Sequence, residues 1–342
     1  MAGDCIRQIP RWGFVLSLAA TILMMAAASA PSLFYPQIAE RLGLIPVATT
    51  LVFAVYTFTL LAALLYLGPL SDHVGRRPVV AAGSLALALS VAMFWFAGSL
   101  AALLVARALQ GLAAGLLIPA LSAMMIDFES PSHRNIAALW NTIGPMIGLG
   151  AGALGAALLL DLTSEPTTAV FGSLVLAFLI VATVVWSTPE LAPKTQIRRG
   201  DLRPRFTVPP HLRRMFTVGV PVIIAGWATN GLFLALGADL VGSELGGSTH
   251  TQAGIVLFAL AISGVTASSV LQRRSARTIS LYATSALAFG TAVSIGALAL
   301  GSYPAYVASV AIVGSGFGTA FLGVLRTLMP HTASSERAAV MA

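Results

Sequence analysis

Charged residues are scarce in this 342-residue chain. Asp, Glu, Lys and Arg together make up 9% of the sequence, whereas 57% of the residues are hydrophobic and the mean hydropathy is +0.90. A soluble globular domain has about 25% charged residues. The composition therefore excludes an ordinary soluble domain and indicates an integral membrane protein.

Other absences exclude further classes of protein. Cys5 is the only cysteine, so the chain cannot form an internal disulfide. It contains no Gly-x-x-x-x-Gly-Lys-Ser/Thr phosphate loop and no metal-ligand spacing of His, Cys, Asp and Glu. The run from Gly314 to Gly318 is rich in glycine, but it lies in an apolar segment with no strand before it, which favours helix packing. We expect no ATPase activity, no cofactor and no metal.

Long apolar segments are what the sequence does contain. A hydrocarbon core of about 30 Å requires about 20 apolar residues in a helix, and polar residues divide the chain into ten runs of roughly that length. The runs lack the period-two alternation of a barrel strand, so we predict ten helices. The predicted spans cover residues 12–34, 47–67, 79–96, 100–126, 135–160, 169–186, 215–236, 253–271, 279–300 and 305–328.

The basic residues lie mainly in alternate loops between the predicted spans. The formal net charge is +7, and with the amino terminus in the cytoplasm only Arg41 of the loop arginines falls outside. This distribution satisfies the positive-inside rule and requires no nucleic acid partner. We predict a multi-pass protein of the bacterial inner membrane with both termini in the cytoplasm.

The spans fall into two groups. Residues 1–186 contain six, the arginine-rich and proline-containing stretch 187–214 forms a cytoplasmic linker, and residues 215–342 contain four. The basic turn Gln272–Arg277 occupies the same place in the second group as Asp72–Arg77 in the first, which indicates weak internal repetition.

The turn between the second and third spans carries a compact motif. It combines small, apolar and charged residues at fixed spacing: Gly68, Leu70, Asp72, Gly75, Arg76 and Arg77. This pattern resembles the Gly-x-Leu-x-Asp-Arg-x-Gly-Arg-Arg/Lys loop of the major facilitator superfamily, although His73 replaces the usual arginine. The resemblance implies an all-α, two-bundle transporter whose turn belongs to a cytoplasmic gate, and we expect Arg76 to pair with Asp127, with Asp72 beside this pair.

Two further patterns resemble this family. Arg107, Gln110 and Gly111 match its Arg-x-x-Gln-Gly pattern, to which the resemblance assigns proton coupling. A charge inside a span costs about 2.5–3.5 kcal/mol, so we expect Arg107 to face the interior, with snorkelling to the outer interface as the alternative. The fifth span contains a motif similar to that of exporting branches, formed by Gly144, Pro145 and Gly148. We expect these residues, together with Gly150 and Gly152, to form one small-residue face that kinks the helix and permits close helix contact.

Polar and aromatic residues within spans are candidates for the substrate cavity. A pocket built from them is mostly apolar with few hydrogen-bonding groups, which suits amphipathic or hydrophobic organic molecules. The candidates are Tyr56, Trp140, Asn141, Trp227, Asn230 and Phe233.

The function that these observations predict is secondary active export of small molecules, coupled to protons, by a monomer in the bilayer. The alternatives are an uptake permease of the same family and a non-functional remnant, because the family usually has six plus six spans and this chain resembles a truncated 6 + 4 form. A membrane transferase that uses Asp127, Glu129 and His133 is less favoured. We therefore predict a transporter rather than an enzyme.

Overall fold

The computed structural model describes residues 11–130, 136–191 and 213–328, in which all regular elements are helices. Ten of these helices are long and apolar enough to cross a membrane, as the sequence predicts. The all-α membrane fold class is therefore confirmed. The long helices, α1 to α10, are Arg11–Ser29, Pro46–Leu67, Arg76–Trp95, Leu100–Asp127, Ile136–Leu162, Pro166–Val184, Arg213–Ser243, His250–Leu271, Ala276–Ala299 and Tyr303–Leu328.

Two short segments modify the predicted boundaries near the amino terminus. A 3-10 turn, Ala30–Phe34, and a short helix, Tyr35–Leu42, extend α1, so the first span is longer than predicted. The extension ends at Gly43, whose φ of 63° is left-handed and stops the helix. The predicted seventh span agrees with the apolar span Gly219–Gly237, although the helix α7 itself continues beyond it to Ser243.

Serine side chains cap the amino-terminal ends of two of the long helices. The Ser99 hydroxyl accepts a hydrogen bond from the backbone N–H of Ala102, and Ser275 accepts one from Thr278, each at 3.2 Å. Both serines thereby satisfy an N–H group that the first helical turn cannot pair. Such caps fix the residues at which α4 and α9 begin.

The first six long helices pack together. α2 lies against α4, α3 lies against α4 and α6, and α1 lies against α5. Small residues permit these contacts: an added Cβ at Gly148 or Gly152 would lie 2.4 Å from a backbone oxygen of α1. Close backbone approach at small residues is the usual source of helix association in lipid.

The last four long helices form a second set, in which α10 packs against α7, α8 and α9. The glycine-rich run predicted to pack does so, since an added Cβ at Gly314 would lie 2.0 Å from the Leu260 carbonyl oxygen. The main contact between the two sets is made by α5 with α8. Most of the predicted linker, residues 192–212, lies outside the described residues.

Candidate functional site

Arg107 lies within α4 and is completely buried. Its Nε donates a hydrogen bond to the Tyr35 hydroxyl at 2.7 Å, and its Nη1 donates to Gln110 Oε1 and, at 3.4 Å, to the Ala28 carbonyl oxygen. Gln110 in turn donates to the Ala27 carbonyl oxygen at 2.9 Å. Arginine, glutamine and tyrosine thus form one polar network that joins α4 to α1 and to the short helix Tyr35–Leu42. Arg107 and Gln110 lie on one helix face, as their three-residue spacing predicts.

Aromatic rings surround the guanidinium group. Its central carbon lies 4.9 Å from the ring centre of Phe94 and between 5.3 and 5.6 Å from those of Phe53, Tyr35 and Tyr56. Ring faces carry negative potential, so four rings stabilise a cation that has little water around it. The alternative that Arg107 snorkels to the interface is therefore wrong, and its predicted interior position is confirmed.

Gly111 adjoins this network but serves the contact between α4 and α2. An added Cβ would lie 2.4 Å from the Tyr56 carbonyl oxygen and 2.1 Å from Thr59 Oγ1. The glycine therefore lets α2 approach closely enough for Tyr56 to reach the guanidinium. Gly111 lies beside Arg107 in the chain, and its contacts are those of α4 packed against α2.

A second polar cluster lies at the opposite end of the first helix set, in the turn between α2 and α3. Arg76 donates to Asp127 Oδ2 at 3.2 Å and to the Ser71 hydroxyl at 2.8 Å, and it also pairs with Asp72. The predicted ion pair between Arg76 and Asp127, with Asp72 beside it, is confirmed. Gly68 follows the last residue of α2, and Leu70 begins the short helix Leu70–Val74.

Glu190 completes this cluster, and the sequence analysis did not predict it. Its two carboxylate oxygens accept hydrogen bonds from the backbone N–H groups of Arg76 and Arg77, each at 3.0 Å. A carboxylate at the first turn of α3 satisfies unpaired donors and meets the positive end of the helix dipole. The sequence does contain an acid directly after a proline at the end of the sixth span. This pattern does not identify the start of α3, more than 100 residues away, as the partner of Glu190.

The acidic residues proposed for a transferase have structural contacts instead. Asp127 pairs with Arg76, and Glu129 Oε1 accepts a hydrogen bond from the backbone N–H of Ala137 at the start of α5. The third member, His133, lies outside the described residues. Asp127 and Glu129 therefore stabilise a turn and a helix start rather than face one another.

The motif of α5 has two contact faces, where the sequence analysis predicted one. Gly148 faces α1, and Gly144 lies near Leu18 of the same helix, where an added Cβ would be 3.1 Å from its Cδ1. Gly150 faces α8, since an added Cβ there would lie 2.8 Å from that of Ala261. Two positions along a helix differ by about 200°, so residues 148 and 150 cannot share a face. Pro145 lies within α5, between Gly144 and Gly148.

The described residues border at least two cavities between the helix sets. One, with an accessible volume of about 10 Å³, is bordered by Met146 and Leu149 of α5, Leu257 of α8 and Phe317 of α10, with Asn230 as its polar residue. The other, with an accessible volume of about 250 Å³, lies between the short helix Tyr35–Leu42, the start of α2 and the end of α7.

The six predicted cavity residues do not converge on one of these spaces. Asn230 borders the smaller cavity, whereas the other five border neither. Tyr56 covers Arg107, Phe233 is buried against Tyr306, and Trp227 is half-exposed against Phe317. Trp140 and Asn141 lie in the first two turns of α5. Residue types alone do not show the direction in which each side chain points from its helix.

A third polar cluster joins the two helix sets at the end opposite to Arg76. The Asp161 carboxylate, near the end of α5, accepts hydrogen bonds from the backbone N–H groups of His250 and Thr251 at 3.1 and 2.7 Å. It also contacts His250 Nδ1 at 2.8 Å and the Thr251 hydroxyl, and His250 Nε2 lies 3.2 Å from Gln37 Nε2. We call these four residues the outer clasp. Sequence analysis did not predict it.

Comparisons with known proteins agree with this architecture. The major facilitator superfamily model matches residues 16–342. The structure of a bacterial homologue of the human lysosomal transporter Spinster, inward-facing and occupied, gives a TM-score of 0.71 at 13% identity, covering 96% of this chain and 76% of that one. At such identity the likeness shows the fold alone.

Relatives with named activities match part of the chain. The puromycin resistance protein pur8 of Streptomyces alboniger is 32% identical over 148 residues, which is 42% of this chain. The multidrug efflux pump LfrA of Mycolicibacterium smegmatis is 34% identical over 149 residues, or 40% of this chain. The matched part spans 29% of the length of each relative. With the family model covering nearly the whole sequence and ten membrane helices in the structure, this chain belongs to the major facilitator superfamily.

Proposed function

We propose that the protein is a secondary transporter that exports small amphipathic or hydrophobic organic molecules in exchange for protons. In this proposal a monomer acts in the bacterial inner membrane, with both termini in the cytoplasm. The observation that carries the proposal is Arg107, a fully buried arginine in the middle of a polar network inside a membrane protein. The names of the relatives, a puromycin resistance protein and a multidrug efflux pump, support export.

The surroundings of Arg107 support a role in coupling. Among the described residues its hydrogen-bond partners are a phenol, an amide and a backbone carbonyl, none of which carries a compensating charge. Its Nη2 is buried and has no hydrogen-bond partner in the described residues. A proton that binds in this network is repelled by the fixed positive charge of Arg107. Proton binding therefore favours a second arrangement of α1 and α4, in which the hydrogen bonds of Arg107 differ from those in this structure.

The two helix sets are proposed to be the two moving bodies, with residues 187–214 as the linker. The outer clasp connects them at one end, where hydrogen bonds to Asp161 close the space between α5 and α8. Arg76, Asp127 and Glu190 stabilise the first set at the other end. Breaking the clasp while the opposite side closes would expose the interior to the outside, which is the alternating access that a transporter requires.

The residues around the smaller cavity would suit an apolar substrate once the helices separate, because the space between them in this structure has an accessible volume of only about 10 Å³. Its borders are mostly aliphatic and aromatic, with the Asn230 amide as a group that can hydrogen-bond. Such a surface binds through apolar contact, and a single amide gives orientation without requiring one particular molecule.

The test is proton-driven flux in proteoliposomes. Purified protein is reconstituted, a pH gradient is imposed, and movement of a fluorescent hydrophobic dye is followed in both membrane orientations. We expect dye flux opposite to the proton flux, and we expect Arg107→Ala to lower it by at least tenfold. The matched control is Arg273→Ala, which removes an exposed arginine from the turn after α8.

Both variants must insert and purify as the wild-type protein does. Undiminished flux in Arg107→Ala would contradict the coupling role. Dye movement in the same direction as the protons would contradict export and favour the uptake permease.

A further inference from the structure

The turn between α8 and α9 is the counterpart, in the second helix set, of the turn that contains Arg76. It lies at the inner end of the molecule, opposite to the outer clasp. In the first set, Arg76 is neutralised by Asp72 and by Asp127 at the end of α4. The sequence contains no Asp or Glu between Glu244 and Glu336, and at the end of α10 it has Arg326 where α4 has its acid. The charge of this turn is therefore the reverse of that in the first set.

The register of α9 against α10 places two arginines opposite each other. In three pairs along these antiparallel helices an added Cβ on the glycine would lie 2.7 or 2.8 Å from the facing residue, namely Gly290 with Val313, Gly316 with Leu287 and Gly323 with Ser280. A step back along α9 thus corresponds to an equal step forward along α10. Three residues beyond the last of these pairs, towards the inner end, the facing residues are Arg277 and Arg326.

One hydrogen bond fixes this arrangement. Arg326 Nη1 donates to the Arg274 carbonyl oxygen at 2.9 Å, which holds its guanidinium beside the turn that leads into α9. Arg277 and Arg326 are both exposed, and neither forms an ion pair with a residue that the structure describes. Like charges at facing positions repel each other unless an anion lies between them. The pair is therefore suited to an anion from outside the chain.

The position of the pair indicates which anion it meets. Arg277 is the second residue of α9, and Arg326 lies in the last turn of α10. These helices have 24 and 26 residues, whereas about 20 cross the hydrocarbon core, so their ends reach the level of the lipid headgroups. Guanidinium groups bind phosphate through paired N–H donors, and basic surfaces between membrane helices recognise phospholipid headgroups.

We propose that Arg277 and Arg326 together bind one phosphate group, that of an anionic phospholipid headgroup, between the inner ends of α9 and α10. The site requires that the chain lies in a bilayer, and it does not depend on the proposed transport activity.

Native mass spectrometry of the purified full chain tests the site. The Kd is measured for dioleoylphosphatidylglycerol and, as the zwitterionic probe, for dioleoylphosphatidylcholine. We expect the anionic lipid to bind the wild type more tightly. Arg277→Gln and Arg326→Gln should each raise its Kd about fivefold, which is the effect of one basic residue near an anionic lipid surface. The Kd for the zwitterionic lipid should change less than about twofold.

Two further variants separate a site from general positive charge. Arg273→Gln removes the same charge from the turn but lies outside the facing pair, so we expect its Kd for the anionic lipid to stay within about twofold of the wild type. Arg326→Lys keeps the charge without the paired donors and should lose less affinity than Arg326→Gln. Unchanged Kd values in Arg277→Gln and Arg326→Gln, or an equal loss in Arg273→Gln, would overturn the proposal.

Inorganic phosphate distinguishes a lipid headgroup from free phosphate. The thermal unfolding midpoint is measured in detergent without added lipid, in sodium phosphate and in sodium chloride of equal ionic strength. We expect the two midpoints to agree within about one degree, in the wild type and in Arg326→Gln. A rise in phosphate that Arg326→Gln abolishes, together with equal Kd values for the two lipids, would identify free phosphate as the ligand and overturn the assignment to a lipid.

Discussion

Gly75 has a backbone conformation that a side chain would strain. Its φ of 107° lies where residues other than glycine are rarely found. An added Cβ would also lie 2.8 Å from Glu190 Oε2. Glycine at this position therefore lets the chain turn into α3 and lets Glu190 reach the first N–H groups of that helix.

Gly75→Ala is expected to destabilise the protein by about 1–3 kcal/mol, because it combines backbone strain with a steric clash. The measurement is the thermal unfolding midpoint in detergent. Gly98→Ala is the matched control, since an added Cβ there meets nothing within 4 Å. Equal midpoints for the two variants would show that Glu190 and the turn adjust without strain.

Single residues show what the sequence could and could not predict. The Arg76–Asp127 pair was predictable because a known motif placed one partner and the end of α4 placed the other. The contacts of Glu190 and Asp161 were not predicted, because each residue has partners about 90 or more residues away and no local sequence pattern indicates such a contact. Arg107 was recognised by its charge, but its four aromatic neighbours come from three other segments.

Helices were more predictable than contacts. Continuous apolar runs determine that a helix forms, and most of the predicted ends lie within about three residues of the structure. The ends of α1 and α7 are the exceptions. A 3-10 turn and a short helix extend α1, and in α7 Gly237 and Asp239 lower the hydropathy without ending the helix. The two faces of α5 were not separated, because a run of small residues does not indicate which neighbour each of them meets.

The contact of α5 with α8 gives a prediction for a pair of helices. An added Cβ at Gly254 of α8 would lie 2.5 Å from that of Ala157, so Gly254→Leu must separate the two helices. We expect the thermal midpoint in detergent to fall by several degrees, since overpacking costs about 1–3 kcal/mol.

Gly155→Leu is the control for this prediction. It makes the same substitution in α5, where an added Cβ meets no atom within 4 Å. We expect its midpoint to remain within about one degree of the wild type. A fall of equal size in the two variants would show that the effect comes from leucine itself and not from the α5–α8 contact.

At the scale of the whole molecule, the outer clasp is a set of hydrogen bonds that joins the two helix sets. Asp161→Ala removes the acceptor for the N–H groups of His250 and Thr251 and leaves them at an unpaired helix start. The site is partly solvated, so we expect the equilibrium to shift toward an outward-open form by on the order of 1 kcal/mol, or about fivefold.

The control for the clasp is Glu165→Ala, which removes an exposed acid from the same outer turn, where its side chain makes no cap at the start of α6. The rate of thiol labelling of a cysteine placed at Asn230 reports the opening. A rate unchanged by Asp161→Ala would contradict the role of the clasp.

Alternation between two states is the central claim, and the distance between the helix sets measures it most directly. Spin labels are attached to cysteines at Phe96 and Leu300, exposed residues that follow α3 and α9 at the outer end, in a Cys5→Ser background. A second pair, at Val74 and Arg273, reports the inner end.

Pulsed electron–electron distance measurements are made in lipid at acidic and alkaline pH. The account predicts two distance populations for each pair, with the outer distance increasing as the inner one decreases, and a larger outer-open population in Asp161→Ala. A single distance for both pairs, unchanged by pH and by that substitution, would contradict alternating access.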